Sequence, residues 1–178
     1  MSLDHLWAGW RSSYVTSFEA RADTAVPSAA PAPAESEANC VFCAILASKE
    51  PDEVRHVLWT GKYTAGLLNA YPYCPGHIMV LPIRHLRDLS EMEPEESAEL
   101  SIAVREAVAA VRTAYRPEGM NIGLNLGRAA GAGIPAHLHV HIVPRWIGDT
   151  NFMTAVADVR VLPEALADSW AKLRAAWT

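Results

Sequence analysis

The stretch His137-Leu138-His139-Val140-His141-Ile142-Val143 alternates imidazoles with aliphatic side chains. That alternation has the period of a β-strand, whose successive side chains leave opposite faces. It predicts a strand over residues 137–143 with the three imidazoles on one face, roughly 7 Å from one to the next, and Leu138, Val140 and Ile142 on the other. The aliphatic face suits a core and the imidazole face suits chemistry. Only seven histidines occur in 178 residues. Three of them fall in this one short run, which favours a metal or acid/base site over a strand that carries histidine by accident.

Working outward, residues 127–136 (GRAAGAGIPA) read as a glycine-rich loop and residues 120–126 (MNIGLNL) as the strand before it. Residues 56–60 and 63–68 read as two strands around a tight Gly61-Lys62 turn, and residues 77–82 (HIMVLP) as a third. Between them, residues 69–76 (NAYPYCPG) carry two prolines and a glycine and predict a loop. A long helix is expected from the acidic, Pro94-bearing start at Leu89-Ser90-Glu91-Met92-Glu93-Pro94 to Tyr115, with Leu100, Val104, Val108, Val111 and Tyr115 as its buried stripe. Shorter helices are expected at residues 40–48 and 162–177. Strands that come in hairpins, with helices set apart, indicate an α+β domain with a mainly antiparallel sheet.

The expected organisation has three parts. Residues 1–20 place Leu6, Trp7, Trp10, Tyr14 and Phe18 at helical spacing and predict a short amphipathic helix that covers the domain or a partner copy. Residues 21–39 are rich in Ala, Pro, Ser and Glu and predict a mobile linker or extended arm. The domain proper is expected over residues 40–178, including the last helix. No internal repeat is present.

Hydrophobic residues make up 51% of the chain and charged residues 20%, the balance of a soluble globular domain. No apolar run is long enough for a membrane-spanning helix, and the charged N-terminus lacks the apolar core of a secretory signal, so a cytoplasmic protein is expected. A net charge of −5 argues against nucleic-acid polymers and anionic membranes as partners. An anionic ligand would have to be held by local devices. Three cysteines do not read as a disulfide framework; Cys40-Val-Phe-Cys43 reads as a metal or redox pair.

Imidazoles ligate metals, move protons or act as nucleophiles. Three on one strand would set the outer two roughly 13 Å apart at the backbone, which is poor geometry for one tetrahedral ion. A nucleophile requires instead a central imidazole oriented through its far nitrogen, with anion-binding groups nearby. Gly127, Gly131 and Gly133 supply a loop whose backbone N–H groups can approach a phosphate closely.

The triad run followed by Pro144-Arg145 resembles the signature of the histidine triad (HIT) superfamily. Supporting matches are Cys40-Val-Phe-Cys43-Ala-Ile, the run from Asn69 through Tyr71 and Tyr73 to Gly76-His77, Arg84-His85, and Asn121-Ile-Gly-Leu-Asn125-Leu-Gly127. They occur in the family's order over about residues 40 to 152. The resemblance implies a five-stranded antiparallel sheet with two main helices, a homodimer through the long helix and its neighbouring strand, and nucleotidyl transfer at an α-phosphate.

By resemblance, the catalytic set is His137, His139 and His141. His139 is the nucleophile that becomes nucleotidylated, and His141 a phosphate-binding partner. Asn69 resembles the residue that bonds the ribose, and Asn125 a group near the phosphates. Gly133 and Trp146 are expected on the substrate, Trp146 at the leaving group. Cys40, Cys43, His85 and His137 resemble the ligands of zinc-carrying members, which implies a structural Cys₂His₂ zinc. Magnesium is expected only as a complex of the substrate's polyphosphate, and Cys74 is expected simply to pack.

The third histidine distinguishes this chain from related uridylyltransferases, which carry glutamine there. Residues 144–152 (PRWIGDTNF) and Asn69-Ala-Tyr-Pro-Tyr look like the bacterial branch that includes diadenosine tetraphosphate phosphorylases and hydrolases. Dinucleoside polyphosphates are therefore the expected substrates. Nucleoside phosphoramidate hydrolysis, or nucleotide binding by a non-catalytic scaffold, are the alternatives. One departure stands out: where many members carry Gly-Gln-Ser/Thr before the triad, this chain has Gly133-Ile134-Pro135, so the phosphate contacts of that segment do not carry over.

Overall fold

The computed structural model describes residues 37–149 and 163–177. These lie in the compact unit Glu35–Thr178. The helix expected over residues 1–20, most of the 21–39 arm and Asn151 lie outside the described residues. Within the arm's expected span, Glu37–Asn39 forms a single 3-10 turn that leads into Cys40.

Five strands form one sheet: β1 (Val57–Thr60), β2 (Thr64–Leu68), β3 (Ile78–Pro82), β4 (Gly119–Leu124) and β5 (Val140–Arg145). Their spatial order is β1-β2-β3-β5-β4, and every pairing is antiparallel. The helices are α1 (Val41–Ala47), a single turn α2 (Asp52–Arg55), the long α3 (Pro94–Tyr115) and α4 (Leu166–Ala176). The expected α+β architecture is the observed one.

The β1–β2 turn closes through Gly61 N–H on the Thr64 carbonyl at 2.8 Å. Glu99 of α3 clamps it, accepting from Tyr63 N–H, Thr64 N–H and the Thr64 hydroxyl at 2.8, 2.9 and 3.0 Å. At the start of α3, Glu93 and Glu96 form a reciprocal capping box with Pro94 at the first position, satisfying amides the helix itself leaves open. Arg84 pairs with the buried Glu96 at 2.7 Å and holds its carboxyl below the usual carboxylate range.

α3 and α4 cover one sheet face, where Leu58, Leu68, Ile78, Val80, Val140 and Ile142 meet Leu100, Ala103, Ala107, Ala110, Val111 and Leu173. The expected stripe on α3 is thus rotated. Leu100 and Val111 are buried, but alanines take the central contacts, and Val104, Val108 and Tyr115 are only partly buried against the core. Small side chains let the helix axis approach the sheet, and the larger residues fill the flanks.

The opposite face is a second, smaller core of Cys40, Phe42, Val57, Leu67, Met79 and Leu81. Registers Val57↔Leu67, Leu67↔Met79, Met79↔His141 and His141↔Gly123 place these residues in one row across the sheet. His141 is therefore delivered to the face away from α3, beside α1.

Candidate active site

The triad departs from the expected single strand. β5 begins only at Val140. His137, Leu138 and His139 form its lead-in, where Leu138 N–H bonds the Leu86 carbonyl at 2.7 Å rather than a neighbouring strand. The three imidazoles divide between two sites. His139 and His141 meet edge to face, with ring centroids 4.8 Å apart. The His137 ring lies instead against His85, at 5.2 Å and perpendicular. Phe42, 2% exposed, touches both His137 and His139, at 5.5 and 5.2 Å.

Backbone carbonyls fix the protons, because a carbonyl only accepts. His139 Nδ1 lies 2.8 Å from the His137 carbonyl, so Nδ1 carries the proton and Nε2 keeps its lone pair. His137 Nε2 lies 2.9 Å from the Pro82 carbonyl, so its lone pair is on Nδ1. Burial pushes the pKa of both rings down, which keeps them neutral and the lone pairs available.

His141 is oriented by a residue the sequence reading left out of the site. His77, fully buried, accepts at Nδ1 from the Tyr73 N–H at 3.1 Å and from the Asn69 amide at 3.3 Å. Its proton is therefore on Nε2, 3.0 Å from His141 Nδ1. His141 in turn carries its own proton on Nε2. Burial, followed by the neighbouring His139, lowers the His141 pKa to about 4. A sequence signal for His77 did exist. It sits two residues before Met79, and strand alternation puts it on the same face as the Met79↔His141 pair.

His139 and His141 line a cavity of about 410 Å³. Val41, Phe42, Ile45, Leu67 and Met79 form its apolar wall, while Asn69, Gly131 and Gly133 also line it. Gly131 is in the left-handed region at φ 91°, a conformation that the missing Cβ permits. Asn69 and Gly133 therefore fall in one cavity with His139 and His141. Asn125 and Trp146 are not among its lining residues. Trp146 packs edge-on against Tyr115, with centroids 6.4 Å apart, and its backbone N–H bonds the Asp149 carboxylate. Cys74 donates its thiol to the Pro144 carbonyl at 3.1 Å.

Behind the triad, Cys40, Cys43, His85 and His137 offer four ligand atoms within 4.8 Å of one another. His137 Nδ1 lies 3.2 and 3.5 Å from the Cys40 and Cys43 sulfurs, and His85 Nδ1 lies 3.3 Å from Cys43. Two thiols and two imidazole lone pairs at these separations fit the edges of a tetrahedron around an ion with bonds of about 2.0–2.3 Å. The Pro82 carbonyl on His137 Nε2 is the outer-shell partner that such a ligand needs.

A five-stranded antiparallel sheet with paired imidazoles over a small-molecule cavity, backed by a Cys₂His₂ cluster, defines the class. A HIT domain family model matches residues 50–146. AP-4-A phosphorylase of Mycobacterium tuberculosis is 38% identical over 98% of this chain and 85% of its own length. Bis(5'-nucleosyl)-tetraphosphatase [asymmetrical] of Schizosaccharomyces pombe is 35% identical over 50% of this chain and 48% of its own. Among solved structures, a Zn-bound histidine triad family protein from Mycobacterium smegmatis superposes with TM-score 0.64 and 31% identity, covering 80% of this chain and 95% of its own. The chain belongs to the HIT family.

Proposed function

We propose that this protein cleaves dinucleoside polyphosphates at an α-phosphate through a nucleotidyl-His139 intermediate. The observation that carries this reading is the His137 carbonyl on His139 Nδ1, which leaves an unprotonated Nε2 on a ring lining the cavity. His139 Nε2 attacks the α-phosphorus, an N–P bond forms, and the bridging P–O bond breaks. The electron pair leaves on the nucleoside polyphosphate. His141 Nε2–H donates a hydrogen bond to the phosphate oxygens, and the amide of Gly133 approaches them from the loop. In the second step an oxygen of inorganic phosphate or water attacks the same phosphorus and the N–P bond breaks, returning the lone pair to Nε2. Phosphate yields a nucleoside diphosphate; water yields a nucleoside monophosphate and a proton.

Phosphate is the favoured acceptor, because the relative named for phosphorolysis matches along nearly the whole chain. The relative named as a tetraphosphatase covers only half of it and supports hydrolysis as the second reading. Asn69, anchored through Tyr71 N–H and His77, is assigned to the ribose. The Cys₂His₂ cluster is assigned to one structural zinc, with a Zn-bound relative in support. Magnesium enters only with the polyphosphate. A homodimer through α3 and the edge strand β4 is part of the reading, supported by Ile102 and Ile122, 47% and 50% exposed. Among the described residues, no helix is long and apolar enough to cross a membrane.

The test is product analysis of diadenosine tetraphosphate with and without inorganic phosphate. ADP plus ATP formed only with phosphate is the expected result. AMP plus ATP regardless of phosphate would install the hydrolase reading. Full turnover by His139→Asn would remove the mechanism.

A further inference from the structure

A dinucleoside polyphosphate carries two nucleosides, and the cavity beside His139 and His141 has room for one. Its volume of about 410 Å³ lies near the lower end of small-molecule sites, and the apolar wall takes a single base. The second nucleoside needs another surface within reach of the reacting phosphorus.

The loop that carries Asn69 presents such a surface. Tyr71 is 87% exposed and Tyr73 49%, and both line the mouth of the cavity. The buried Pro72 between them restricts the backbone. The Tyr71 N–H is held by Asn69 Oδ1 at 2.9 Å and the Tyr73 N–H by His77 Nδ1 at 3.1 Å. Two large rings are thus held out toward solvent by a loop anchored on residues of the site itself. Tyr73 also stacks over His141, at 6.0 Å between centroids and 28° between planes, so the pair starts beside the reacting phosphate and continues outward.

We propose that Tyr71 and Tyr73 form a stacking subsite for the base of the departing nucleoside. The proposal rests on the nucleotidyl-transfer reading above. Aromatic faces accept any base, because every base has a π-face. Such a subsite therefore selects a substrate with a second nucleoside over one that ends in a bare polyphosphate, without choosing purine or pyrimidine.

Tyr71 is the residue to vary, because Tyr73 touches His77 and His141 directly. The readout is the ratio of kcat/KM for diadenosine tetraphosphate to that for adenosine 5'-tetraphosphate, which lacks the second adenosine. In Tyr71→Ala this ratio is expected to fall about tenfold, the scale of one base stacked on one aromatic ring, and Tyr71→Trp is expected to restore it. An unchanged ratio in Tyr71→Ala overturns the subsite, even where both rates fall together. The same ratio is read as binding constants by calorimetry, in His139→Asn and in His139→Asn/Tyr71→Ala. If the wild type turns over neither compound, nucleotidyl transfer fails and the binding ratio alone decides the subsite.

Discussion

His77 and His141 are joined Nε2 to Nδ1 at 3.0 Å, and the direction of that bond is set one step further back. Tyr73 N–H and the Asn69 amide both donate to His77 Nδ1, which forces the His77 proton onto Nε2 and toward His141. The loop between β2 and β3 thereby dictates which nitrogen of His141 is protonated, much as an outer-shell partner fixes the tautomer of a metal-bound histidine.

Removing the donor leaves a buried acceptor unpaired, at a cost of about 1–3 kcal/mol. His77→Leu is therefore expected to lower kcat by about ten- to a hundredfold, with a smaller change in KM. His77→Gln, which keeps an N–H donor, should recover part of the loss. Steady-state kinetics of the two variants check this, and equal loss in both would show that the pair acts through packing alone.

The burial that lowers His141 to about 4 also makes the free protein sensitive to acid. The unfolded chain takes up a proton at this residue near its ordinary value of 6.5, whereas the folded site does so only near 4. Between these values the unfolded state binds more protons, so stability falls as pH falls through that window. Melting temperature followed from pH 7 to 4.5 should drop more steeply in the wild type than in His141→Gln. The burial-lowered His139 contributes to both curves; parallel curves would mean that His141 titrates normally.

Much of this architecture is legible in the sequence because short apolar runs bounded by turn residues mark buried strands. β1, β2 and β3 fall where the apolar runs and turn residues put them, to within a residue. The triad is where periodicity misleads. Leu138 bonds the Leu86 carbonyl and the strand starts three residues later than the alternation predicts. His77 was hidden for a related reason: as the residue before β3, it reads as the start of an apolar strand. The Cys₂His₂ cluster combines Cys40 and Cys43 with His85 and His137, up to 97 residues away. No local spacing encodes such a set, and only the family resemblance assembled it.

That cluster and the proposed nucleophile His139 are linked through His137. The His137 ring faces the two thiols while its carbonyl holds His139 Nδ1. Metal analysis is expected to find about one zinc per chain, and Cys43→Ser should lose it, lower the melting temperature and reduce kcat by about ten- to a hundredfold, as an outer-shell defect does. Metal analysis and kinetics on the same preparation check the link. Loss of metal with full kcat would show that the lead-in holds its shape without the ion.

The face of the sheet away from the cavity offers a perturbation that should spare catalysis. Trp177, just past α4, stacks on Trp59 with centroids 5.9 Å apart and planes 13° apart. It also covers Gly66 of β2, where an added Cβ would lie 2.6 Å from the indole ring. Gly66 is thus the space that the indole occupies. Gly66→Ala should displace Trp177 and destabilise the fold by about 1–3 kcal/mol, the usual cost of overpacking. Trp177→Leu alone should cost a similar amount by opening a void, and the double variant should cost less than the sum because each change makes room for the other. Urea unfolding followed by tryptophan fluorescence measures all three. Because Gly66 lies on the α3 side of the sheet and His141 on the other, kcat should change little; a large fall would show that the two faces are coupled through β2 and β3.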